Sequence, residues 1–173
     1  MPTDQKTEFW LSGPIEGITG VLQPVVHAIL QARREVNDAL ENFPGTLLWQ
    51  RPGGVASVAF QLQHLAGVLD RLFTYARGEQ LSALQLAALQ KEGKEDKDVH
   101  LQNLIQQFND QVERAIKQLK NTKEVSILEP RFVGRKQVPS TILGLLFHAA
   151  EHTQRHTGQL LVTTRVVNNT EKL

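Results

Sequence analysis

Three of the six histidines in this chain, His148, His152 and His156, stand at successive spacings of four residues. Imidazole nitrogens bind divalent metals and carry protons near neutral pH, so this run holds the most chemistry of any stretch in the sequence. On a helix the three share a face, but each step of four drifts by about 40°, and the outer two stand about 12 Å apart along the axis. One ion cannot reach all three. A neighbouring pair can hold it, either His148 with His152 or His152 with His156, and the missing ligand must come from elsewhere in the chain. His64 is the best donor, because it lies between Phe60 and Val68 at minus and plus four on the edge of an apolar stripe. An inward imidazole facing an imidazole pair is how helical bundles build metal sites. A lone buried histidine at that position has a plain structural explanation, and so does an isolated pair; their combination points to a metal.

His148 shares the ligand face and is a catalytic candidate as a proton carrier, with support of a ligating histidine from behind, or a place in the pocket wall, as the alternatives. His27 and His100 fall on polar helix sides beside Gln31, Gln107 and Asp96, and solvent exposure is expected for both. The string His148-Ala149-Ala150-Glu151-His152 matches the inverted zinc-protease motif. That chemistry needs a distal carboxylate ligand, and beyond His156 the chain offers only Glu171. Glu151 is displaced by about 100° from His152 and should point outward. Asp70 and Glu41 also read as solvent-exposed. Arg71, two turns beyond His64 on nearly the same face, either meets an anionic ligand or extends to solvent. Trp49 reads as loop packing before it reads as a pocket wall, and Tyr75 and Gln159 lie near the same rims.

Four helices must position these groups. Apolar residues recur every three to four positions over 22–42, with Pro24 in the first turn and Pro44-Gly45 as the stop. After a turn-rich loop around Trp49, Ser57 caps a second helix over 57–77 that Gly78 ends. A short helical piece over 81–89 and a charged, solvated connector over 91–98 come next. Asp98 then opens a third helix over 98–120, with Leu101, Leu104, Phe108, Val112 and Leu119 on one stripe. Residues 124–138 suggest extended chain laid over the bundle, and Pro139-Ser140-Thr141 opens a fourth helix over 140–162, apolar on several sides. Residues 1–20 form an irregular lead-in that can pack, and 164–173 a polar tail. One all-α domain spanning 1–173 is expected.

Composition narrows the function. Nineteen basic against eighteen acidic side chains leave a net charge of +1, so no field selects nucleic acid or an acidic membrane. There is no cysteine, which removes disulfides and thiolate ligands and leaves only nitrogen and oxygen donors for a metal. The start has no leader signature and no apolar run is long enough to span a bilayer, so a cytoplasmic location is the expectation.

The stretch Phe60-Gln61-Leu62-Gln63-His64-Leu65, preceded by the Trp49 loop, and the stretch running from His148 through His152, His156, Gly158 and Gln159 to Leu160 together resemble the DinB-like family of four-helix metal proteins. The resemblance implies an antiparallel four-helix bundle with His64, His152 and His156 as ligands to nickel, zinc or manganese. It also implies frequent homodimers and a kinship with thiol-dependent transferases and isomerases. Family members commonly carry arginine where this chain has Thr157; Arg155, about 200° around the helix from it, is no substitute. The leading expectation is a metal-dependent enzyme that acts on a small-molecule substrate as an S-transferase, the sulfur arriving with a low-molecular-weight thiol. A hydrolase of small esters or amides is the alternative, with no general base fixed by sequence, and a non-catalytic metal-binding protein is a third.

Overall fold

A computed structural model describes residues 7–170. Its helices are α1 (Gln23–Leu40), α2 (Val58–Ala76), α3 (Ala83–Lys91), α4 (Leu101–Asn121) and α5 (Ile142–Thr170), with strands β1 (Pro130–Val133) and β2 (Val138–Thr141) before the last. The four long helices form the bundle: α1 and α2 each pack against both α4 and α5, so α1 and α2 lie on opposite corners. The expected apolar stripes meet at its centre, among them Ile29 and Val36 of α1, Leu65, Leu69 and Phe73 of α2, Phe108 and Leu119 of α4, and Leu146 and Leu160 of α5. The fold is the expected all-α bundle with a short extra helix and an excursion before the last helix.

Local chemistry sets the ends of α2, which carries His64. The Ser57 hydroxyl accepts the Phe60 amide at 3.2 Å, satisfying one free donor of the first turn. At the other end Gly78, at φ +80°, takes the left-handed conformation that lets the chain turn away.

Three boundaries differ from the sequence reading. Helix α4 starts at Leu101 rather than 98, because Asp98 is held in a local turn by a bond from its own amide to Asp96 Oδ1 at 3.0 Å. Helix α5 starts at Ile142, since 138–141 pair as β2 with β1 in an antiparallel hairpin; Thr141 Oγ1 then accepts the Gly144 amide at 3.0 Å. The same helix continues past 162, and the expected polar tail from 164 is helical through 170 with Thr164 and Val167 buried. Thr164 satisfies its hydroxyl within the helix by donating to the Leu160 carbonyl at 2.7 Å, which is what allows a polar residue to sit inside. Glu171 lies outside the described residues.

Helix α3 buries none of its residues and is held by polar stitches. Gln85 donates from Nε2 to Asp70 Oδ2 at 2.9 Å and to Thr74 Oγ1 at 2.8 Å, both on α2. The chain leaving α3 is thereby brought alongside the middle of α2.

Candidate metal centre

His64 projects from α2 toward α5, where His152 and His156 stand one turn apart. The ring centroids are 5.2 Å apart for His64 and His152, 4.3 Å for His64 and His156, and 4.6 Å for His152 and His156. One ligating atom from each lies within 4.8 Å of the other two. Of the two neighbouring pairs, His152 with His156 is the one that meets His64. His148 stands on the outer side of His152, with ring centroids 5.3 Å apart, and together with Glu151 and His152 makes a second close group.

Hydrogen bonds decide which nitrogens are free. His64 Nδ1 lies 2.8 Å from Glu92 Oε2, and a carboxylate only accepts, so Nδ1 carries the hydrogen and, in the uncharged ring, Nε2 presents a lone pair. His156 Nδ1 lies 2.8 Å from Gln61 Oε1, which frees its Nε2 in the same way. Gln61 is oriented in turn by donating from Nε2 to Gln159 Oε1 at 3.3 Å. The two Nε2 atoms of His64 and His152 face each other at 3.0 Å. Since His64 Nε2 is bare, the hydrogen between them belongs to His152, whose Nδ1 is then an unprotonated nitrogen; it is buried and has no partner. The donor set therefore fits a divalent metal: three imidazole nitrogens, two of the rings aimed by acceptors behind them, as metal-bound histidines usually are.

Electrostatics favour the neutral form that ligation requires in the α5 pair, His152 and His156. Burial, then the neighbouring His64 and His152 and the charge of Arg155, push His156 down to about 4, against a weaker pull from Glu92. Burial, then His64, His148 and Arg155, also lower His152, opposed by Glu151. For Glu92, burial alone would raise the carboxyl, but the hydrogen bonds from His64 and Arg71, with their charges, outweigh it and hold it below the usual range.

Several residues occupy places that the sequence did not foretell. Glu92 lies in the charged connector, yet its side chain is only 9 % exposed and bridges His64 to Arg71, whose Nη1 donates to Glu92 Oε1 at 2.5 Å. Arg71 thus meets an anion, but one that belongs to the protein. Its neighbour Asp70 binds Gln85 rather than facing the histidines. Glu151 does not simply point to solvent: its Oε1 lies 2.6 Å from His148 Nδ1, and its Oε2 accepts from Arg155 at 2.8 Å. His27 is half-buried against the Gly13 carbonyl at 3.0 Å instead of solvated, whereas His100 and Glu41 are exposed. Trp49 packs on the core, Tyr75 is buried, and Thr157 is wholly enclosed on the side of α5 away from exposed Arg155. Gln61 carried one available signal, its position three residues before His64 on the same helix face. Glu92 carried none, because its approach depends on how α3 docks.

No helix among the described residues is long and apolar enough to cross a membrane. The fold resembles a crystal structure described as the conserved protein of locus from Enterococcus faecalis, with a TM-score of 0.69 and 19% identity over 87% of this chain and 99% of that one. None of the curated proteins matches. The family model of the DinB superfamily matches residues 28–160, most of the bundle and all three converging histidines. On that match the chain belongs to the DinB superfamily.

Proposed function

We propose that this protein is a metal-dependent enzyme that transfers a low-molecular-weight thiol onto an electrophilic small molecule. The observation that carries this reading is the convergence of His64, His152 and His156 beside a solvent-reachable histidine and carboxylate pair. His64, His152 and His156 would hold a nickel, zinc or manganese ion, which would supply Lewis acidity to lower the pKa of a thiol. His148 is the residue to take the proton. Its Nδ1 donates to Glu151, which leaves Nε2 bare, and with its side chain 51 % exposed the ring is open to an incoming molecule. Glu151 stabilises the imidazolium once formed, and Arg155 fixes Glu151 from the other side. The thiol sulfur then bonds to the electrophilic carbon, the leaving group departs with the bonding pair, and His148 returns the proton to it.

A cleft of about 650 Å³ opens beyond His156, on the side of α5 away from His148, lined by Val55, Ala56, Val162 and Gly158, with Gln61 and Arg155 among its polar residues. Its apolar walls and its sharing of Gln61 with His156 suit it to the body of the small-molecule substrate. Hydrolysis of an ester or amide is the second reading, and the His148–Glu151 pair favours it more than the sequence did, because the same base can serve a water molecule.

The test is a protein stripped of metal, reloaded with nickel, zinc or manganese, and offered a panel of cellular thiols with electrophiles, in parallel with ester and amide substrates. Metal-dependent thioether formation that disappears in His152→Ala is the expected result. Turnover of esters or amides without thiol moves the assignment to hydrolysis. Inactivity on both panels with metal bound overturns catalysis in favour of a structural or regulatory metal protein.

A further inference from the structure

We infer that Glu92 is a positioning residue of the metal centre, delivered by the chain after α3 and held in place by Arg71 and Gly67. The inference rests on the metal reading above and adds the device that sets the state of one ligand.

His64, Gly67 and Arg71 stand at i, i+3 and i+7 on α2, one stripe of a helix. Long helical side chains lean toward the N-terminus, so the Arg71 guanidinium runs back over Gly67 toward His64. There it meets Glu92, with both side chains nearly closed to solvent at 12 % and 9 % exposure. A Cβ on Gly67 would overlap both Arg71 Nη1 and Glu92 Oε1, so the absent side chain is what lets the pair form. The far oxygen of Glu92 accepts from His64 Nδ1 at 2.8 Å. Free histidine in water favours hydrogen on Nε2, the nitrogen that must be bare here. Glu92 opposes that preference before any cation arrives, and Arg71, bonded to its other oxygen, holds the carboxylate against His64 Nδ1.

The connector is fitted to this task at neighbouring points. The Gly93 amide donates to Gln63 Oε1 at 2.8 Å, and Gly93, at φ +75°, packs its backbone on Phe60. Phe60 stacks on the His64 ring with centroids 5.3 Å apart. The residues around Glu92 therefore bound His64 on its ring face as well as at Nδ1. The otherwise exposed α3 segment thus acquires a role that its lack of core contacts does not explain.

Nitrogen NMR of metal-free, full-length protein reads the His64 tautomer, and calorimetric titration with zinc reads affinity. In the wild type the hydrogen is expected on Nδ1. Glu92→Ala should move it toward Nε2 and weaken zinc binding by about 10–100-fold, the usual loss when the acceptor behind a ligating histidine is removed. Glu92→Gln keeps an acceptor for His64 but not the charge that Arg71 pairs with, so it should restore the tautomer and recover part of the affinity. Gly67→Ala displaces only the mobile ends of Arg71 and Glu92, so it should mimic Glu92→Ala while the circular dichroism and melting transition of the bundle persist. A wild-type His64 with hydrogen on Nε2, or a Glu92→Ala protein unchanged in both readouts, overturns the inference and leaves the metal reading standing. A wild type that binds no zinc, nickel or manganese overturns the metal reading, and this role for Glu92 with it.

Discussion

A histidine ligates through a lone pair, so the hydrogen on its other nitrogen needs an acceptor, and the three converging rings differ in this respect. His64 and His156 have Glu92 and Gln61 behind them, whereas His152 has nothing at Nδ1. His152 is nevertheless the ring shared by every possible pairing on α5, so His152→Ala should abolish cation binding in calorimetric titration. His148→Ala should leave the affinity within a few-fold and lower turnover by about 10²–10⁴-fold, the range for loss of a general base. Acid gives a separate check on metal-free protein. His156 titrates at about 4 in the folded chain against an ordinary value of about 6.5 when unfolded, and His152 shifts in the same direction. Between those values the unfolded state binds more protons, so stability is present above about 6.5 and is lost as pH falls toward about 4. Denaturant midpoints should decline through that window in the wild type, and less steeply in His156→Gln; an equal slope would discount the burial of His156.

At the scale of elements, α2 and α5 divide the work. Helix α2 contributes His64, Gln61, Gly67 and Arg71 on one side while its apolar stripe fills the core, and α5 carries the histidine pair outside a buried run that includes Thr153, Thr157 and Leu160. Their mutual packing sets the distance between His64 and the α5 histidines, so the ends of α2 matter to the site. Ser57 is buried, and its hydroxyl holds the first turn. Ser57→Ala should cost about 0.5–2 kcal/mol in urea unfolding. Since the first turn carries Phe60 and Gln61, the same change should weaken zinc binding modestly; full stability after the substitution would show that tertiary packing alone fixes that end.

For the whole molecule, the proposed cation binding is linked to folding, because His64 lies 88 positions before His152 in sequence and meets the α5 pair only in the bundle. A cation that binds the folded chain alone stabilises it by about 2.7 kcal/mol at a hundred times its dissociation constant. For a chain of this size that corresponds to a rise of about 5–10 °C in melting temperature. Zinc titrated into the wild type should produce such a rise, and His152→Ala should show none. Phe108, fully enclosed between helices, sets the contrasting scale. Phe108→Ala should cost about 3–5 kcal/mol with or without zinc, measured by the same melts.

The local features of this chain were fixed by residues acting over one or two turns, and these are legible in the sequence. The apolar spacing of α1, α2 and α4, the Ser57 cap, the Gly78 stop and the four-residue spacing of His152 and His156 all belong to this class. The inward aspect of His64 followed from the same helical arithmetic. Tertiary structure decided what depends on elements meeting. Pairing of β1 with β2 moved the start of α5, and burial against the core carried that helix beyond 162. Docking of α3 on α2 through Gln85 turned Glu92 out of a charged, otherwise solvated run and onto His64 and Arg71. Helical periodicity assigns each residue to a face of its own helix, but it contains no information on which residue from a distant loop will fill the space above a glycine. That partner is selected by packing and by the need of a buried charge for a counter-charge, which only the assembled bundle supplies.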